Sequence, residues 1–189
     1  MELDFLTQVY RPRGTSGANY KALYDKILTF QAKNDRTARI YLPDAPYTES
    51  GLFTSGAIMD PMQELPFDFA LTHIKEVSRL PLTAAQKKLF ITPPGDEPGI
   101  SAAIELADDH CGVASTKGVF MLKPAWNVTA EDGATKEIFE GYFDLKLSYS
   151  SLYRRKGHGS GLPDIKVAFW AVRARRDKDG NEIGIGPKA

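Results

Sequence analysis

From Phe67 to Val77 the chain alternates. Phe67, Phe69, Leu71, His73 and Lys75 fall on one side, and Asp68, Ala70, Thr72 and Ile74 on the other. A period of two belongs to a strand whose faces meet different surroundings. The same period returns over Thr37 to Leu42, Gly118 to Lys123, Ala125 to Thr129 and Lys136 to Tyr153, with a turn predicted at 131–134. In the last long run Phe143, Leu145, Leu147 and Tyr149 oppose Asp144, Lys146, Ser148 and Ser150. Ile165 to Arg176 is apolar on both faces at its centre, which predicts a strand central in its sheet or sandwiched between layers. Arg176 to Glu182 has hairpin-turn chemistry, with Gly180 suited to a positive φ, and Ile183 and Ile185 return on a short closing strand.

Helical spacing is rarer. Tyr20, Leu23, Tyr24, Ile27 and Leu28 recur at i, i+3, i+4, i+7 and i+8, so 19–30 is expected to be a short amphipathic helix. Thr83 and Gln86 stand at capping-box spacing before a helix over Ala84 to Phe90. Ile100, Ala103, Ile104 and Ala107 form one apolar stripe, with Glu105, Asp108 and Asp109 facing away, and predict a helix over Ile100 to His110. Between Pro43 and Pro66 no period is sustained, and a long loop is expected there, partner-facing or partly stranded. Its apolar members Leu52, Phe53, Ile58, Met59, Met62 and Leu65 are more numerous than a solvated loop needs.

Strands divided by turns every ~8–12 residues, with few helices, predict a mainly β or α+β fold. The expected form is an antiparallel β-sandwich or barrel carrying one or two short helices. Residues 1–18 are expected to be an N-terminal arm and 19–189 a single β-rich domain.

At 189 residues, with 42% hydrophobic and 25% charged side chains, the chain has the composition of a globular domain. A lone cysteine, Cys111, excludes an internal disulfide and suits a reducing compartment. The first residues lack the basic and apolar blocks of a signal peptide, and no run approaches the ~20 apolar residues of a membrane span. A cytoplasmic protein is expected, without a membrane partner. The sequon Asn127-Val128-Thr129 then has no glycosylating compartment to act in.

The formal charge is zero, but it is unevenly spread. Residues 146–178 hold nine Lys and Arg against Asp164 and Asp177, a net +7, so the remaining 156 residues carry −7. Arg154, Arg155 and Lys156 close one predicted strand and Arg173, Arg175 and Arg176 the next, with Tyr149, Tyr153 and Trp170 interleaved. Cations for phosphates beside aromatic faces for bases are the means by which single-stranded nucleic acid is held. These nine residues are therefore the candidate nucleic-acid-binding set of a non-enzymatic binding protein. The competing account packs the rings inside and leaves the cations as a charged, protective strand edge. A different class is a structural subunit of a viral or other self-assembling complex, lapping its arm and the 43–66 loop onto neighbours as a homo-oligomer or within a virion.

Enzymatic chemistry is weakly indicated. Gly157-His158-Gly159-Ser160-Gly161 lacks the lysine-serine ending of a phosphate loop and leads into a strand instead of a helix. His73, His110, Cys111, Asp108 and Asp109 have no metal-ligand spacing. The acids beside Cys111 oppose its activation as a nucleophile paired with His73 or His158. No catalytic residue, metal or cofactor is assigned.

Overall fold

The computed structural model describes residues 19–30, 38–90, 95–108, 112–129, 133, 135–176, 178–179 and 182–183. The expected arm over 1–18, together with His110, Cys111, Gly180 and Ile185, lies outside them. Strands β1 (Ala38–Tyr41), β2 (Gly51–Met59), β3 (Pro66–Val77), β4 (Gly99–Leu106), β5 (Val113–Thr129), β6 (Thr135–Tyr149) and β7 (Ile165–Val172) form one sheet. They lie side by side in chain order, each antiparallel to the last, so the sheet is a simple meander. Helices α1 (Tyr20–Phe30), α2 (Ala84–Lys87) and α3 (Ser151–Arg155) are short, and the fold is mainly antiparallel β as expected. A separate two-stranded ribbon pairs β8 (Arg175–Arg176) with β9 (Glu182–Ile183).

The sheet curls into a half-barrel. Strands four places apart in a flat sheet are roughly 19 Å distant. Yet the rings of Phe53 on β2 and Phe143 on β6 have centroids 5.0 Å apart, which only strong curvature allows. Inside the curl lie Phe53, Phe69, Leu71, Ile104, Phe120, Leu145 and Leu147, all essentially without exposure. Alternation supplies them: in β6 the odd positions 143 to 149 enter this core, while Ile138, Glu140 and Tyr142 face outward.

The outer face of β5–β7 is covered in turn. Leu23 of α1 packs with Ile138, Trp126, Trp170 and Val172, and the segment around α2 lays Phe90 and Leu82 over Tyr142, Ala168 and Val119. Asn19 starts α1 by accepting the Ala22 N–H (3.2 Å), and Thr83 and Gln86 close the expected capping box around α2. Covering on both faces explains the doubly apolar β7. That strand is sandwiched, but it is the last in its sheet and not central.

Three boundaries differ from expectation, and the 43–66 stretch is partly stranded. Gly99–Leu106 is strand β4 and not a helix. Its residues Ala102, Ile104 and Leu106 alternate inward, while Ile100, Ala103, Ile104 and Ala107 over the same run fit a helical stripe, a short-run ambiguity that pairing with β3 and β5 resolves. The 43–66 stretch contains β2, whose period is broken by a register shift between Thr54 and Met59. β5 is one strand from 113 to 129, with Pro124 accommodated at an irregularity. β6 stops at Tyr149 because Ser150 caps α3, its side chain accepting the Leu152 N–H.

Candidate functional site

Helix α3 carries Arg154 and Arg155 in its only full turn, with Lys156 as its C-cap. Only Tyr153 of this helix is buried. Its ring meets the edge of Tyr149 at 5.3 Å and His158 at 5.8 Å. Gly112 lies so close to the ring that a Cβ there would collide with it. The Tyr153 hydroxyl donates to the Asp60 carboxylate, 2.8 Å from each oxygen.

Asp60 is 3% exposed and also accepts the N–H groups of Met62 (2.7 Å) and Gln63 (3.1 Å). One buried carboxylate thus shapes the β2–β3 turn and ties α3 to it. Burial, then the charge of Asp60, pushes the Tyr149 hydroxyl above its ordinary range.

The glycine loop completes this end of the sheet. The N–H groups of Lys156, Gly157 and His158 return to carbonyls of α3, and Gly157 takes φ 90°. That is a helix C-cap. Those donors are spent on the helix, so this part of the loop is not a phosphate cradle. Farther on, Tyr149 N–H bonds Ser160 O (2.8 Å) and Leu162 N–H bonds Leu147 O (3.1 Å), seaming the loop to β6.

The cations separate into two groups. Arg154, Arg155 and Lys156 are exposed at one end of the β6–β7 pair, and no described carboxylate pairs with them. They end a helix, not a strand as expected. Arg173 sits at the opposite end, where Val172 pairs with Ile138, and it is tied to Glu137 and lies over the Phe139 ring. Seven residue steps at ~3.3 Å put about 23 Å between the two ends. Lys146 is drawn toward Asp164 at 3.8 Å, so acids interrupt the cations along the ribbon. Arg175 and Arg176 form β8, beyond that second end.

The rings do not stand beside these charges. Tyr149 and Tyr153 are 4% and 3% exposed, and Trp170 is half-buried against α1. Of the three rings expected to stack, Tyr149 and Tyr153 thus face the interior, and Trp170 packs with α1. Alternation turns Tyr149 into the curl, and Tyr153 is the single anchor of its helix.

A second charged group escaped sequence reasoning. Lys123 of β5 and Glu140 of β6 are direct cross-strand partners, 3.0 Å apart and almost wholly buried. Glu97, on the surface, closes over Lys123 at 2.5 Å. Burial pushes Glu140 up against the pull of Lys123. The hydrogen bond from Lys123 holds Glu97 down. Lys123 itself is raised: burial acts to lower it, but its two carboxylates together outweigh that. The register of β5 on β6 was the missing information.

Among the described residues no three His, Cys, Asp or Glu side chains converge to hold a metal ion. None of the described helices is long and apolar enough to cross a membrane. No family model matches the chain, and neither the curated proteins nor the solved structures supply a match.

Proposed function

We propose that this is a non-enzymatic binding protein that takes the phosphates of nucleic acid on α3, with Arg154, Arg155 and Lys156 as its contacts. One observation carries the reading. Three adjacent cations project from a rigidly mounted turn with no described carboxylate neutralising them. With Tyr149 and Tyr153 buried, such contacts read charge and not bases. Single strands are the favoured ligand, because their flexible backbone can follow a one-turn helix.

Titration of labelled single-stranded and duplex oligonucleotides at several salt concentrations tests this. Affinity should fall steeply with salt, and Arg154→Ala with Arg155→Ala should reduce the log–log slope by about 1.4 for single strands, two contacts at ~0.7 each. Absence of binding at low salt removes the reading.

A second reading, the structural subunit of a viral or other self-assembling complex, is favoured by the open sheet. Among the described residues β1 and β7 each have one strand neighbour, and Tyr41 and Leu52 are paired across β1–β2 with 57% and 39% exposure. Sedimentation of the purified chain into large species at high concentration would favour it, and a dilute-to-concentrated series of constant mass would exclude it.

A further inference from the structure

The end of the sheet that bears α3 has a polarity that neither charge counting nor the fold alone reveals. The β2–β3 turn, residues 60–65, stands in its middle. On one side are the basic residues: Met62 Sδ lies 3.3 Å from His158 Nε2, and beyond His158 come Tyr153 and the exposed Arg154, Arg155 and Lys156. On the other side is a half-open cleft of about 230 Å³ whose lining includes Leu65, Leu106, Asp68 and Asp108. Asp68 and Asp108 are exposed, and the Ala107 N–H bonds Asp68 O at 3.0 Å, joining the backbone segments that carry them.

The turn and the helix beside it also expose apolar side chains. Met62 is 47% exposed, Leu65 59% and Leu152 45%. These three are among only seven large hydrophobic residues with such exposure in the described chain, and all three fall at this end. Isolated exposed apolar residues need no explanation, but three at one end of the sheet, with opposite charges beside them, suit a protein interface with a hydrophobic centre and a polar rim.

The arrangement is self-complementary. A twofold interface requires that each patch meet a copy of itself, so that a contact of one residue with another is repeated in reverse. An axis through the 60–65 turn sets the basic helix of one copy against Asp68 and Asp108 of the other. The reciprocal contact follows, and the methionine and leucines of the two copies meet at the centre. We propose that this end is a twofold self-association surface, and that its partner is a second copy of the chain. The inference stands without the nucleic-acid reading, although both would use α3, so an oligonucleotide that bound there would compete with the dimer.

Charge exchange tests it on the full chain, by sedimentation equilibrium in low and high salt without nucleic acid. The wild type should be a dimer at low salt whose Kd rises about tenfold or more at high salt, since exposed ion pairs are screened. Arg154→Glu with Arg155→Glu should give a monomer, as should Asp68→Lys with Asp108→Lys. An equimolar mixture of those two variants should dimerise again, because each then offers the charges the other lost. Leu152→Ser, at an exposed position that the core does not use, should weaken the dimer while circular dichroism stays unchanged. A wild type monomeric at every concentration overturns the proposal. So does a dimer indifferent to the exchanges, or open-ended growth in place of a dimer.

Discussion

Removing one oxygen from Tyr153 separates the mount of α3 from its cargo of charge. In Tyr153→Phe the ring keeps its packing on Tyr149 and Gly112, but the Asp60 carboxylate loses its hydroxyl donor. Hydrogen bonds to a buried charged group contribute about 1.5–3 kcal/mol. Asp60 retains the Met62 and Gln63 N–H groups, which places the expected loss toward the lower half of that range. For a chain of this length each kcal/mol moves Tm by about 2–4 °C, so a fall between about 3 and 9 °C is expected. Urea unfolding followed by tryptophan fluorescence gives the free energy directly, since Trp126 and Trp170 both lie in the packed layer beneath α1. Repeating the measurement on Asp60→Asn and on the double variant closes a thermodynamic cycle. Contacting residues couple by about 0.5–3 kcal/mol, whereas independent ones add to within about 0.5 kcal/mol. Additive losses in the two single variants would refute the bond between this hydroxyl and this carboxylate. Hydrogen exchange across 151–158 should also accelerate in Tyr153→Phe, because the helix has no other buried side chain to hold it.

Three further outcomes follow from the same structure. Lys123→Met leaves Glu140 buried without its cation and should cost about 3–5 kcal/mol, whereas Lys123→Met with Glu140→Leu should recover most of that loss in denaturant unfolding. Gly112→Ala drives a methyl into the Tyr153 ring and should destabilise by about 1–3 kcal/mol, with trypsin cleavage at Arg154 and Arg155 speeding up in step. Glu97 is held below its ordinary range by Lys123, so its contribution is present above its unfolded value and lost as pH falls through the lower folded one. Glu97→Gln should therefore flatten the acid side of the stability–pH curve, and an unchanged curve would count against the Lys123 contact.

Alternating runs are legible because a strand with one face in the core must place apolar side chains at every second position. For that reason β3 and β6 stand close to where their patterns put them, and the antiparallel, helix-poor class follows from the turns between them. The Thr83–Gln86 box was equally readable, since its two hydrogen bonds close within four residues. β4 was not, because eight residues rich in Ala and Ile suit either period. Only the carbonyls and N–H groups of β3 and β5 on either side select the strand. β2 was hidden by its register shift, which breaks the period that identifies a strand.

Charge and ring content were visible along 146–178, but their placement was not. Ser150 ends β6 and begins α3, and that one cap turns Tyr153 inward and the next three cations outward. The pairing of Lys123 with Glu140 depends on strands meeting in one register. The bond from Tyr153 to Asp60 spans 93 residues of chain. By itself the sequence determined the strand periods, the local caps and the segregation of charge, all of which act between near neighbours. The curl of the sheet, the burial of Tyr149 and Tyr153 and the placing of charged groups around the 60–65 turn were decided by tertiary structure. Each depends on contacts between residues far apart along the chain, which local spacing does not encode.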